Sequence, residues 1–323
     1  MIEDLDNQVA TLKELARKAE RERKAHDAGG PGTKPKAVLA RRLAERKVPH
    51  TLAVTSGKGG VGKTLVTVNL AVNFARQGLK VLIIDADLGL ANIDVVLGLS
   101  PDFTIQDMLE GRMSIEQVAV PGPEGITILP AASGVAELST LSEEQRMALM
   151  DHIDHWDADF DVVLVDTGAG ISTNVRYFVL SVERILVVAT PDPASITDAY
   201  ALMKVMFLNH RIDHFELVVN QVKSEQEALE VYRTLHRVAD RFLHIGLNFA
   251  GFIPYDPQLV QAVRQQASVS QMFPSAPSSL AFASLADKVL KQCQEDRENN
   301  GRAMFFWRRV LDENVRGPEA DGE

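Results

Sequence analysis

The chain of 323 residues holds one cysteine, Cys293. A lone thiol excludes an internal disulfide and any cysteine-pair metal or iron–sulfur site within one chain, and it points to the cytoplasm. Long apolar runs are also missing, so no segment is long enough to span a bilayer. The start, Met1-Ile2-Glu3-Asp4-Leu5-Asp6, lacks the basic residues and apolar stretch of a signal peptide. Tyrosine is scarce, with four residues and none beyond Tyr255, so there is no tyrosine-rich tail for a bacterial tyrosine kinase to modify. Positive charge is outnumbered, and a net charge of -10 argues against a surface built throughout to coat nucleic acid, although it leaves room for a local basic patch.

Hydrophobic residues make up 46% of the chain, and glycine and proline are near average use. The middle of the sequence therefore has the composition of a globular domain. Ile2, Leu5, Val9, Leu12 and Leu15 recur at spacings of three and four, which predicts an amphipathic helix over 1–27. Ala28 to Lys36 is a Gly/Pro linker, and Arg41 to Lys47 continues it as a basic stretch, so 28–50 reads as a flexible basic connection.

From Thr51 the texture changes to short apolar runs alternating with helical patterns. The runs are Thr51 to Thr55, Val81 to Ile84, Ile126 to Leu129, Val162 to Val165, Ile185 to Ala189, Leu217 to Asn220 and Phe249 to Ile253. All but the last are rich in Val, Ile or Leu without alternation, as strands buried on both faces are. The expectation is one doubly wound, mostly parallel α/β domain over 51–291, closed by a helix from Leu280 to Gln292.

Gly57-Lys58-Gly59-Gly60-Val61-Gly62-Lys63-Thr64 follows the first of these strands and opens a helix, the context a phosphate-binding P-loop requires. Glycines let backbone N–H groups converge on phosphates, and the helix start adds its positive dipole end. Lys63 is placed to reach the β and γ phosphates and Thr64 to ligate Mg²⁺, with Leu65 completing the ATP-binding stretch. Asp166 ends a buried strand, where ligands bind in open α/β sheets, and can hold Mg²⁺ through water. Asp87, just beyond the second strand, lies at the same edge. Either aspartate could instead cap a helix, and Lys58 is a residue that a plain phosphate loop does not need.

Lys58-Gly59-Gly60-Val61-Gly62-Lys63-Thr64 resembles the deviant Walker A motif of the MinD/ParA ATPases. That resemblance covers most of 51–291. It implies that Lys58 crosses a dimer interface to the partner's nucleotide and that ATP joins two chains. Asp85-Ala86-Asp87-Leu88-Gly89-Leu90-Ala91-Asn92-Ile93-Asp94 looks like the family's switch I, whose second aspartate orients the attacking water and acts beside Mg²⁺. Asp161 to Asp166, continued by Thr167-Gly168-Ala169-Gly170, looks like its Walker B strand and switch II. Asn220 and the turn Pro254-Tyr255-Asp256 match positions where the family contacts adenine, though asparagine at a strand end is also a common turn residue. The resemblance thus implies a slow ATP hydrolase with Lys58, Lys63 and Asp87 as its catalytic groups.

Asp87 to Asp94, Asp166 to Ser172 and Ile253 to Asp256 together look most like the flagellar-number branch of that family, the FlhG and FleN type. Asp6-Asn7-Gln8-Val9-Ala10-Thr11-Leu12-Lys13 is similar, with an inserted Asn7 and changes at Val9 and Lys13, to the segment by which such proteins stimulate the signal-recognition-type GTPase FlhF. Gln8 is then the residue presented to that partner. In the tail, 292–323, the segment 302–312 carries Phe305, Phe306, Trp307, Val310 and Leu311 beside three arginines, a composition suited to peripheral contact with an anionic membrane on its cytoplasmic face. Packing back onto the domain is the other use for that segment.

Three further classes stay open: a MinD-like division-site ATPase, a ParA-like DNA-partitioning ATPase, and a binding module that sequesters a FleQ-type transcription activator. Acidity counts against the DNA reading, and no specific nucleic acid is expected. An iron protein of the nitrogenase type, a cluster scaffold and an arsenite pump need cysteines this chain does not have.

Overall fold

A computed structural model describes residues 48–89, 91–131 and 141–300, with side chains up to residue 295. The helix expected over 1–27 with Gln8, the connection up to residue 47, and the tail segment 302–312 with Phe305, Phe306, Trp307, Val310 and Leu311 lie outside the described residues.

The order begins β1 (His50–Ser56), α1 (Lys63–Arg76), β2 (Val81–Ala86), α2 (Ile93–Leu97), α3 (Ile105–Leu109), α4 (Ile115–Val118), β3 (Val120–Pro121) and β4 (Thr127–Leu129). It continues α5 (Glu143–His155), β5 (Val162–Ala169), α6 (Thr173–Leu180), β6 (Arg184–Ala189), α7 (Pro193–His210) and β7 (His214–Val222). Then come α8 (Glu225–Leu243), β8 (Gly246–Pro254), α9 (Pro257–Arg264), α10 (Val269–Met272) and α11 (Pro277–Asn300). The eight strands form one sheet in the order β3-β4-β2-β5-β1-β6-β7-β8. All neighbours are parallel except β3 against β4.

Every residue of β1, β2 and β6 is buried, which is why these runs carry no polar alternation. Successive side chains point to opposite faces. Ala53 joins a core layer with Leu149 of α5, Phe178 of α6, Leu202 of α7 and Leu235 of α8. Leu52 and Val54 join the other layer, with Leu70 of α1, Leu259 of α9 and Phe282 of α11. Local signals start the helices: Ser142, Ser172, Asp192, Ser224 and Asp256 each accept a backbone N–H within the first turn that follows.

α1 is tied at its far end by side chains rather than by apolar packing alone. Asn69 Oδ1 accepts from Ser268 Oγ at 2.7 Å and from Ser270 N at 3.2 Å. Asn73 Nδ2 donates to Ser270 Oγ at 3.0 Å, and Arg76 donates to the Ser270 carbonyl at 2.6 Å. Asn69, Asn73, Ser268 and Ser270 are buried, so each bond among them answers a desolvation cost, while Arg76 adds its bond from an exposed position.

Two boundaries and one strand differ from expectation. His50, read as the end of the linker, is a buried strand residue whose N–H donates to the Asp161 carbonyl, so the domain begins ahead of Thr51. The final helix runs from Pro277 to Asn300 rather than Leu280 to Gln292, because Pro277 suits a first helical turn and the polar run after Cys293 keeps good helix formers. β3 was not expected. It is two residues long, includes a proline and sits on the outer edge of the sheet, where the missing N–H costs nothing.

Candidate functional site

The carboxyl ends of β1, β2 and β5, the three central strands, meet at one edge. Register puts Val54 opposite Asp166 and Asp85 opposite Asp166, so the loop after β1 lies beside two strand-end carboxylates. Gly57 to Gly62 forms that loop, and Gly62, at φ 93°, is the N-cap of α1. The first turn of α1 carries no acidic side chain, which leaves its N–H groups and positive end open to an anion. Gly57 lies against the backbone of α7: a Cβ there would fall 2.1 Å from the carbonyl carbon and oxygen of Asp198.

Lys63 is buried beneath the loop. Burial lowers its pKa, and the nearby Asp166 and Asp87 carboxylates work in the opposite direction. Thr64 Oγ1 donates to Asp166 Oδ2 at 2.7 Å, and Thr67 Oγ1 to Asp166 Oδ1 at 3.0 Å. Even so, burial pushes the Asp166 carboxyl up to about 6; the Thr64 hydroxyl, Lys63 and the Thr67 hydroxyl limit the rise. Asp87 Oδ1 lies against Gly168, where a Cβ would come within 3.3 Å of it, and its charge acts on both Asp166 and Lys63.

Asp85, the first aspartate of the switch-like stretch and not among the expected site residues, organises the edge. Its Oδ1 accepts from Asp87 N at 3.1 Å, and its Oδ2 from Asn92 N at 3.3 Å and Ile93 N at 3.4 Å. Burial, then the Asp166 charge, drives its pKa well above the carboxylate range. The signal was present, because Asp85 sits inside an otherwise apolar strand.

Asp166 and Asp87 both face Lys63, with the Thr64 hydroxyl on Asp166, and a divalent cation would offset the acidity that one lysine leaves. Among the described residues no group of three or more His, Cys, Asp or Glu is placed to cage a metal. That donor set fits Mg²⁺, which is held by one or two protein oxygens and keeps water and phosphate oxygens for the rest.

Lys58 lies on the rim of the loop, 42% exposed, and its Nζ is ion-paired with Asp192 of the same chain. The Lys58 hydrogen bond is the main cause of a lowered Asp192 pKa. Asp192-Pro193 is a readable helix start, but nothing in the sequence foretold this pairing across 134 positions.

The residues expected to meet adenine cluster at the ends of β7 and β8. Asn220 is buried, its Nδ2 donating to the Val61 carbonyl at 2.8 Å and its Oδ1 accepting from Gln221 N at 2.8 Å. Tyr255 is 63% exposed, and its N–H donates to the Val222 carbonyl. Asp256 is occupied structurally: Oδ1 caps α9 through Gln258 N, and Oδ2 accepts from Ser278 N and Oγ at 3.0 and 2.7 Å.

Residues 47–290 match a ParA family model described as an NUBPL iron-transfer P-loop NTPase. The antiactivator FleN of Pseudomonas aeruginosa is 44% identical over 240 residues, covering 74% of this chain and 86% of that one. The flagellum site-determining protein YlxH of Helicobacter pylori is 32% identical, covering 75% and 82%. Among solved structures, the septum site-determining protein MinD of Pyrococcus horikoshii, complexed with Mg-ADP, superposes with a TM-score of 0.61. It is 26% identical over 76% of this chain and 97% of its own.

Proposed function

Since the chain belongs to the ParA/MinD family of P-loop NTPases and is similar to its FleN and YlxH members, we propose that it is an ATP-driven switch regulating flagellar number or placement. In this reading the protein binds Mg·ATP, dimerises face to face, and returns to monomers after slow hydrolysis. The observation that carries it is the convergence of Lys63, Thr64, Asp87 and Asp166 on a glycine loop above an unblocked helix start.

Gly57 to Thr64 hold the phosphates, with Leu65 next in the helix. Thr64 would ligate Mg²⁺, and Asp166 and Asp87 would hold it through water. When bound, the ion supplies positive charge at the phosphate oxygens. Lys63 offsets the charge of the β and γ phosphates from below, and Asp87 orients a water in line with the γ phosphorus. Lys58 of the second chain completes the charge balance, which is why turnover needs the dimer.

Adenine is met at the ends of β7 and β8, near Asn220, Pro254, Tyr255 and Asp256. Gln8 acts on an FlhF-type GTPase, and a FleQ-type activator is the second candidate partner. Phe305, Phe306, Trp307, Val310 and Leu311 meet the membrane weakly in a monomer and far better when two copies are joined. Among the described residues no helix is long and apolar enough to cross a membrane. The iron-transfer description of the family model has no support in this sequence, whose sole cysteine is buried at Cys293.

Light scattering and liposome sedimentation on wild type and Asp87→Ala, each with ADP and with ATP, test the proposal together. An ATP dimer that co-sediments with anionic lipid supports the cycle. A dimer that ignores lipid removes the membrane arm and directs attention to the transcription activator. A chain that stays monomeric with ATP in both variants overturns the switch.

A further inference from the structure

The amino ends of β7 and β8 lie at the pole of the sheet away from the nucleotide edge. Register pairs His214 with Gly246, and the Gly246 N–H donates to the Asp213 carbonyl at 2.7 Å, so the turns that follow α7 and α8 sit side by side. Both helices end the same way. Arg211 and His244 are left-handed C-caps, at φ 58° and 54°, where glycine is the common residue. Both are exposed, and so are His214 and Arg241.

Two apolar side chains share that pole. Leu208, in the last turn of α7, is 53% exposed, and Phe242, in the last turn of α8, is 62% exposed. The Arg241 guanidinium stands over the Phe242 ring, 5.4 Å from its centroid. A helix end favours a cation by itself. It gives no reason to leave a leucine and a phenylalanine in water at adjacent helix ends, each within three residues of an arginine.

Charge narrows the choice of partner. Residues 204–214 and 233–248 together hold five Lys or Arg, two Asp and no Glu, in a chain of net charge -10. The pole is basic where the chain is acidic, so its complement is an anionic surface. A bilayer takes leucine and phenylalanine below its headgroups while arginines stay among them. A nucleic-acid backbone offers Leu208 nothing. α11 leads to the same pole: Ser278 bonds to Asp256 beyond the end of β8, Leu285 lies against Gly251, and Lys288 donates to the Phe249 carbonyl. Each step along α11 thus retraces β8 toward Gly246, and residues 302–312 follow it in sequence.

We infer that this pole is a second lipid-binding surface, where Leu208 and Phe242 enter the headgroup region of an anionic membrane and Arg211 and Arg241 meet its phosphates. The inference rests on the membrane arm of the proposed function. It adds that the domain itself faces the bilayer, with the nucleotide edge turned away. Lying opposite that edge, the pole stays open when two chains meet face to face. Alone it is too weak to anchor the chain, and it acts together with the tail.

The full chain with ATP tests this by sedimentation with two vesicles, phosphatidylglycerol and phosphatidylcholine in equal parts or phosphatidylcholine alone, and by gel shift with duplex DNA. The variants are Arg211→Glu with Arg241→Glu and, separately, Phe242→Ser, all at exposed positions. Light scattering before vesicles are added follows the ATP dimer. Wild type should bind the anionic vesicles alone, weakened about tenfold by the arginine pair and less by Phe242→Ser, with the dimer intact. Variants that bind as wild type does overturn the inference and leave the membrane reading to the tail. Equal binding to phosphatidylcholine overturns it too. Lipid binding lost together with the dimer overturns it in favour of a contact between copies, and loss of DNA binding alone in favour of nucleic acid. A wild type that binds no vesicle removes the membrane reading and this inference with it. Hydrogen exchange needs no variant: anionic vesicles should slow exchange at 208–214 and 241–246. Unchanged exchange there, in a chain that binds the vesicles, overturns the assignment.

Discussion

Lys58 is ion-paired with Asp192, the N-cap of α7, within its own chain. In the proposed dimer the same lysine serves the partner's nucleotide, so association has to break this pair in each chain. Asp192→Asn is expected to tighten the ATP dimer by a few-fold only, because exposed pairs hold weakly. Lys58→Ala should bind ATP as a monomer and fail to dimerise. Sedimentation velocity across a concentration series reads both; an Asp192→Asn dimer weaker than wild type counts against the competition.

Asp87→Ala is expected to bind Mg·ATP within a few-fold of wild type and to hydrolyse it at least about a hundredfold more slowly, as loss of a water-orienting group does. The dimer should persist after wild type has returned to monomers. Phosphate release and light scattering on one sample check the two halves of the statement.

Gly57→Ala places a methyl group 2.1 Å from the Asp198 carbonyl, a backbone obstacle that no rotamer change relieves. Overpacking of this kind costs about 3 kcal/mol, which lowers the melting temperature by roughly 6–12 °C. Nucleotide affinity should fall as well, since either the loop or α7 has to move. Gly59→Ala, with open space around its Cβ, is the control and should melt near wild type.

Acid should weaken Mg·nucleotide binding below about pH 6. Asp166 has its pKa raised to about 6, chiefly by burial, and the ion needs the carboxylate charged. The stability effect has the opposite sign. A carboxyl whose folded pKa exceeds its unfolded one contributes stability that is full below the unfolded value and lost as pH rises through about 6. Without nucleotide, this group should make the protein melt higher at pH 5 than at pH 7. With Mg·ATP, the advantage should shift toward pH 7. Calorimetric scans with and without ligand decide it.

Removal of residues 1–27 should abolish stimulation of an FlhF-type GTPase and leave ATP affinity unchanged. Removal of 302–323 should abolish liposome binding and leave ATP-dependent dimerisation intact. A GTPase assay and a lipid sedimentation assay on the two truncations, each beside a nucleotide titration, separate the appendages from the core.

The central sheet was legible because burial on both faces writes an unbroken apolar run. Ile185 to Ala189 and Val162 to Val165 fall inside β6 and β5 for that reason. Phe249 to Ile253 was the faintest strand because β8 is an edge, paired among the described residues with β7 alone, and its burial is irregular. The glycine loop with Lys63 and Thr64 was legible because its spacing is local, and Asp166, 102 positions beyond Thr64, because it follows an unbroken apolar run. Asn220 with Val61, and Lys58 with Asp192, were not, because those partners are decided by strand order and lie 159 and 134 positions apart.

The ties between α1 and residues 268–270 bear on how this sequence can be recombined. Asn69→Leu alone would leave the Ser268 hydroxyl and the Ser270 N–H without their acceptor inside the protein. A chimaera joined to a homologue anywhere between residues 76 and 268 takes the two halves of that bond set from different parents. Such hybrids should fold when the parents agree at 69, 73, 268 and 270, and fail when they differ there, however alike the rest of their cores.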